Sequence, residues 1–212
     1  CEACITTGLL MVFGEITSTG TADIESLVRS VIRDIGYDVN SGFDYKNAQV
    51  ITAIQKQSPN IADRVNMSLD ARESGVTPEK VDELLKVGAG DQGMMVGFAC
   101  DETPELMPLP IAIAHRITRR LSEVRRDGII DYLRPDGKSQ VTVEYAYGLP
   151  KRLDTVVVAA QHESGIDPDK LKDDIYNKVI LPVIPAELID KETKFLINTS
   201  GSFIVGGPTA DS

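Results

Sequence analysis

Apolar and polar positions follow two rhythms along this chain, and the changes of rhythm mark its elements. Cys4 to Thr19 is β-rich, and Leu9-Leu10-Met11-Val12-Phe13 is a continuous apolar run suited to a strand buried on both faces. Ile24, Leu27, Val28, Val31, Ile32 and Ile35 then recur at helical spacing, with Thr21 or Asp23 as cap and Gly36 as stop. Ala48 to Ile54 reads as either helix or strand. From Gln55 to Val87 the periodicity fails: 55–60 is polar and turn-rich, and only Thr77-Pro78-Glu79, followed by Val81, Leu84 and Leu85, starts a short amphipathic piece. So irregular a stretch inside a compact domain is usually functional or mobile, and it reads as a lid-like loop.

Gly88-Ala89-Gly90-Asp91-Gln92-Gly93 follows, placing one acid among three glycines. Glycine lets the backbone approach a ligand closely, so this loop can present Asp91 and free N–H groups to a small molecule. Beyond it the pattern predicts a strand at Met94–Cys100 and an acidic, proline-bearing turn. A helix comes next, with Ile113, Ile117, Leu121 and Val124 on its apolar face. Arg116, Arg119, Arg120, Arg125 and Arg126 fall on its opposite, solvated face. Val141–Tyr145 and Asp154–Ala160 read as an antiparallel pair, Asp167-Pro168 opens a helix bearing Leu171, Ile175 and Val179, and Thr193–Asn198 is a last strand. This order implies an α+β fold, with helices packed on mixed, largely antiparallel sheets. No dinucleotide fingerprint or Gly-x4-Gly-Lys-Ser/Thr loop occurs, so dehydrogenase and kinase readings lose their usual support.

Composition narrows the classes further. With 212 residues the chain can bury a real core in one or two domains. A net charge of −10 argues against a nucleic-acid surface, and no apolar stretch approaches the roughly 20 residues that span a bilayer. Three cysteines form no disulfide framework, which points to a reducing cytoplasm. Cys1-x-x-Cys4 has zinc spacing, but Cys100, His115 and His162 are the only other soft donors, and on a strand Cys1 and Cys4 point to opposite faces. The opening Cys1-Glu2-Ala3-Cys4 has neither an initiator Met nor a basic n-region and reads as a strand cut open.

Candidate chemistry sits at Glu2, Glu15, Gln57, Asp91, Asp136-Gly137-Lys138, Ser202-Phe203 and Asp211. Singly, each has a bland reading: Asp136-Gly137 is a common turn dipeptide, Phe203 a core residue, Glu15 a capping group. Together they sit in motifs that resemble the S-adenosylmethionine synthetases. Gly14-Glu15-Ile16-Thr17, Lys56-Gln57-Ser58-Pro59, Gly88–Gly93 with Met107–Arg116, Leu133–Val141 and Phe203–Pro208 stand in that family's order across nearly the whole chain.

The resemblance implies an enzyme that joins L-methionine to ATP: sulfur attacks C5′ of the ribose, and the triphosphate leaves to be hydrolysed to pyrophosphate and phosphate. It implies catalytic roles for Asp91, facing the forming sulfonium, and Lys138, facing the phosphates. It matches Asp136, Gly137, Lys138, Ser202, Phe203 and Asp211 to ATP, with Phe203 as the adenine-stacking ring. Glu15, Gln57 and Asp211 match methionine positions. Glu2 matches a carboxylate associated with a structural K⁺, while the Mg²⁺ ligands are expected outside this stretch. Residues 1–56 then belong to an N-terminal domain, 57–87 to a mobile active-site loop and connector, and 88–212 to a central domain. Three such domains would surround a pseudo-threefold axis, in a cytoplasmic homodimer or dimer of dimers with neither nucleic acid nor membrane as partner.

Two departures stand out. Ser202 occupies a position where the family usually has arginine, leaving only a hydroxyl or backbone contact there. The family's His-Pro-Asp-Lys segment and its lysine-rich C-terminal segments do not occur in the chain, so the expectation is an internal fragment, inactive by itself. The alternative is a non-catalytic relative acting as a binding or regulatory subunit.

Overall fold

The computed structural model of the chain describes residues 1–61, 68, 69, 73 and 93–210. The helix expected from Thr77, most of the lid-like stretch, Gly88–Gln92 with Asp91, and Asp211 lie outside the described residues. Among those described, one compact unit holds the residues of Cys1–Ile5, Leu9–Leu27 and Gln49–Gly97. The other holds those of Thr6–Gly8, Val28–Ala48 and Phe98–Ser212. No helix among the described residues is long and apolar enough to cross a membrane.

The first unit carries a three-stranded sheet in the order β1 (Glu2–Thr6), β2 (Leu9–Ile16), β3 (Gln49–Lys56). The ambiguous segment around residue 50 is therefore a strand, in keeping with its β-branched Val50, Ile51, Thr52 and Ile54. β2 and β3 run parallel, from Leu9 opposite Gln49 to Ile16 opposite Lys56, so a crossover must connect them. That crossover contains helix α1 (Ile24–Ile35). Asp23 caps it, its Oδ1 accepting from Ser26 N at 3.0 Å, and Gly36 ends it at φ +105°. Only Ile32 of its apolar face is buried; Leu27, Val31 and Ile35 stay 55%, 49% and 39% exposed. The run at 9–13 is not buried on both faces either. Leu10 and Val12 are buried while Met11 and Phe13 are half-buried, the alternation of a strand with one face better covered than the other.

The second unit is built on the sheet β4 (Leu133–Ala146), β5 (Leu149–His162), β6 (Lys194–Ile197). β4 and β5 form an antiparallel hairpin turned by Tyr147 and Gly148, both at positive φ (53° and 81°), the geometry that matches strand twist in a two-residue loop. β6 joins β5 in parallel, from Thr155 opposite Lys194 to Val158 opposite Ile197. Asn198 then leaves the strand at φ +44°, and its side-chain amide accepts from Ala160 N (2.8 Å) and donates to Ala160 O (3.0 Å). Asp136-Gly137 is not a turn: it lies within β4, where the pairing shifts register between Leu133 and Gly137.

Helix α2 (Leu109–Arg126) lays Ile113, Ile117 and Val124, each 0% exposed, in the core cluster that also holds Val141 of β4 and Leu153, Val156 and Val158 of β5. Its first N–H groups have no side-chain cap of their own. Glu102 instead accepts from Leu109 N at 2.9 Å while receiving the Tyr145 hydroxyl at 2.6 Å. Partial burial and that carboxylate push the Tyr145 phenol up to about 12. The arginines depart from the expected solvated face. Arg119 and Arg126 are exposed, but Arg116 forms a two-nitrogen contact with Glu105, Arg120 donates to Lys178 O, and Arg125 donates to Ile35 O. Met94–Cys100, expected as a strand, joins no sheet among the described residues, and Met94, Met95 and Val96 are at least 85% exposed. Extended backbone becomes a strand only with a neighbouring strand to share its hydrogen bonds, and no described strand pairs with this segment.

Helix α3 (Pro168–Ile175) begins at Asp167, whose carboxylate accepts from Lys170 N, and runs on through a π-helical turn at Tyr176–Ile180. Asp174, 14% exposed, receives Lys170, Lys178 and the Tyr132 hydroxyl, each at 2.6 Å. Burial alone would raise its pKa, but the three donors outweigh it and hold the carboxyl well below the usual range. A depressed folded pKa stabilises above the unfolded value of about 4 and is lost as pH falls through the folded one. Asp174→Asn should therefore lower stability at pH 7 by about 1–3 kcal/mol and flatten the loss of stability below about pH 4. Urea midpoints at pH 7 and pH 3 check both; an unchanged acid slope contradicts the assignment.

Candidate functional site

Within the second unit, the bulge in β4 and the loop after β6 bring together residues 136–138 and 202–203. At the bulge, Asp136 N donates to Gln161 Oε1 (3.2 Å), while Asp136 Oδ2 accepts from Gly207 N (2.8 Å). Gly137 pairs with Ala160, and a side chain there would stand 3.0 Å from Leu121 Cδ1. Lys138 is exposed, its Nζ 5.7 Å from the centroid of the half-buried Phe203 ring. Ser202 is exposed beside it.

The main chain of Phe203 is held at both polar groups: its N–H donates to His162 Nε2 (3.2 Å) and its carbonyl accepts from His162 N (2.9 Å). His162 Nδ1 lies 2.7 Å from Glu163 O. A carbonyl can only accept and an N–H can only donate, so this pairing requires the neutral ring with its hydrogen on Nδ1. Burial, and then the Asp136 charge, push the Tyr37 phenol upward, whereas burial and then Arg126 lower Arg125.

A pocket of about 100 Å³ lies beside the bulge, lined by Leu121, Arg125, Arg134, Asp136 and Gly137. Ligand pockets run to about 300–1,000 Å³, so this one is too small to enclose a nucleotide-sized molecule. Gly206 is buried against this corner, and a Cβ on it would stand 2.7 Å from Asp136 Oδ2 and 2.9 Å from Phe203 Cε2. Gly206→Ala should push those two side chains apart and cost about 1–3 kcal/mol. A denaturant midpoint within error of the parent would contradict this.

The first unit carries a second grouping. Glu15 pairs with Gln55 in the parallel register, and Gln57 N donates to Ile16 O at 3.3 Å. Thr17 Oγ1 donates to Gln57 Oε1, also at 3.3 Å. Residues two apart share a face, so Glu15, Thr17, Gln55 and Gln57 line one face at one end of the sheet. Glu2 lies on β1, exposed, near the exposed thiols of Cys1 and Cys4 in sequence. Among the described residues no group of three or more His, Cys, Asp or Glu side chains is arranged to hold a metal ion.

Sequence reasoning missed Gln161, and considered His162 only as a zinc ligand. The available signal was a polar pair ending the apolar run Val156–Ala160, and both members are buried, at 0% and 4% exposure.

Residues 86–203 match the family model for the S-adenosylmethionine synthetase central domain, and residues 1–59 that for its N-terminal domain. An S-adenosylmethionine synthase of Roseiflexus castenholzii (strain DSM 13941 / HLO8) is 54% identical over 214 residues, covering 100% of this chain and 52% of the relative. One of Desulfosudis oleivorans (strain DSM 6200 / JCM 39069 / Hxd3) is 51% identical over 212 residues, again covering 100% and 52%. The chain thus spans about half the length of the curated relatives it matches. With both domain models matched in order, the chain belongs to the S-adenosylmethionine synthetase family.

Proposed function

We propose that the whole protein to which this chain corresponds forms S-adenosylmethionine from ATP and L-methionine, releasing phosphate and pyrophosphate. The observation that carries the reading is the corner where a lysine ammonium, an aromatic face and a main-chain-anchored carboxylate meet, at Lys138, Phe203 and Asp136. Each suits one part of a nucleotide. Phe203 offers a face for the base, and Lys138 a point charge for the phosphates. Asp136 and Gly137 offer a kinked backbone that a ligand can approach closely. Nucleotide entry exchanges the ammonium–ring contact for phosphate and base contacts. Ser202 would add a hydroxyl where an arginine is usual, and Asp211 an acid shared with methionine. Glu15 and Gln57 would hold the amino acid.

The chemistry then divides by charge. The triphosphate leaves with more negative charge concentrated at the broken bond, which Lys138 opposes; the sulfonium forms with positive charge, which Asp91 opposes. Mg²⁺, when bound, would neutralise charge on the triphosphate. No cluster of three His, Cys, Asp or Glu side chains forms around Glu2 among the described residues, so a K⁺ proposed there would also use other oxygen donors, main-chain carbonyls included. Cytoplasmic location and assembly as a homodimer or dimer of dimers complete the reading.

Methionine-dependent release of phosphate and pyrophosphate from ATP by the whole protein tests it, and ATP binding without that release refutes it. In the same assay Asp91→Asn should lower turnover at least about tenfold, since the neutral amide no longer opposes the sulfonium charge. Near-normal turnover would sink the role of Asp91.

A further inference from the structure

β5 ends in two buried polar residues, and each reaches a different part of the proposed nucleotide surface. Gln161 uses both ends of its amide: Oε1 accepts from Asp136 N at 3.2 Å, and Nε2 donates to Ile204 O at 3.0 Å, with Ser41 O at 3.4 Å. His162 holds Phe203 by its ring and by its own N–H, as described above. One residue earlier, Ala160 is clamped by the Asn198 side chain. Three successive residues of one strand therefore anchor positions 198, 203 and 204 of the loop, and Gln161 ties that loop to the β4 bulge.

An apolar side chain would fill the space of Gln161 without needing partners, so burying an amide there is costly unless its bonds fix something. Every one of those bonds ends on a main-chain group. What they fix is the path of the backbone, hence the spacing between Asp136 and the Phe203 ring. Gln161 and His162 are 0% and 4% exposed, so what they offer the site is mainly the backbone path they hold.

We infer that Gln161 and His162 are positioning residues that hold Asp136 and Phe203 at one spacing and thereby set the affinity for the adenosine half of ATP. This rests on the assignment of that corner to ATP under the proposed function.

The test compares variants in the whole protein, with KM measured separately for ATP and for methionine. Asn at 162 can still donate to Glu163 O but is too short to accept from Phe203 N, whereas Gln reaches both. His162→Asn should raise KM for ATP about tenfold, the equivalent of one buried hydrogen bond, with KM for methionine unmoved. His162→Gln should recover most of that loss. Gln161→Met, of similar volume but with no amide, should move KM for ATP in the same direction as His162→Asn.

A purely structural role predicts something else: both KM values shift together, or neither does, or Gln fails to rescue, or the variants do not fold. Any of these overturns the inference. Phe203→Ala separates it from the reading beneath it. If that variant leaves KM for ATP unchanged, the nucleotide assignment falls and the inference with it. If Phe203→Ala raises KM for ATP while His162→Asn does not, the inference alone is overturned.

Discussion

Lys138→Ala in the whole protein should lower methionine-dependent turnover about 100- to 1,000-fold at saturating ATP, the usual cost of removing one preorganised group that stabilises transition-state charge. The argument is one of differential binding. Ground-state triphosphate is already anionic, and several cations can share it. In the proposed reaction the bond to C5′ concentrates further charge on the bridging oxygen as it breaks, and a cation held nearby stabilises that change. Lys138 is on a strand rather than a flexible tip, and the β4 bulge sets where it emerges. The signature is a fall in kcat larger than the rise in KM for ATP, because an interaction made chiefly in the transition state is lost. Lys138→Arg should recover only part, since a planar fork does not replace a compact ammonium. A kcat for Lys138→Ala within about threefold of the parent would remove Lys138 from the chemistry.

Ile117→Ala should destabilise the second unit by about 2–5 kcal/mol, the range for truncating a fully buried aliphatic side chain. Ile117 is 0% exposed and sits mid-helix on the α2 face that meets the sheet. Ile113 precedes it by one turn and Leu121 follows by one, so the ridge around the vacancy is held at both ends and cannot easily collapse. With total stabilities near 5–15 kcal/mol, that loss is a large share of what keeps the domain folded. Chemical denaturation reads it directly, and a change below about 1 kcal/mol would mean the site relaxes into the space. Ile111→Ala is the contrast: on the same helix but 41% exposed, it should cost far less.

What was legible in the sequence was local. The α2 ridge at 113, 117, 121 and 124 lies within one helix, and so does its burial pattern. Asp167-Pro168 announced its helix because a cap acts on residues three positions away. Pairings made over distance were harder. Met94–Cys100 had strand composition but joins no sheet among the described residues. Asp136-Gly137 had turn composition but lies within a strand, where Gly137 pairs with Ala160, 23 positions on (160 − 137). Its bulge depends on Gln161, which nothing near residue 136 announces. At the site, resemblance named Glu15 and Gln57 separately, but only the parallel register of β2 and β3 explains why they share a face. Gln161 and His162 stayed invisible for a related reason: a buried, satisfied polar side chain looks in sequence like an exposed one.

The parallel docking of β6 on β5 bears on how the protein is made. An antiparallel hairpin such as β4–β5 can close as soon as its second strand leaves the ribosome, at His162. β6 ends at Ile197, 35 residues later (197 − 162), so the edge of β5 that it covers stays without its partner meanwhile. At synthesis rates of about 5–20 residues per second the gap lasts roughly 2–7 s, long compared with hairpin closure in microseconds. For those seconds the Val156–Val158 edge is an open template for strands of other nascent chains, while α3 and the helical turns after it are the segments that emerge between β5 and β6.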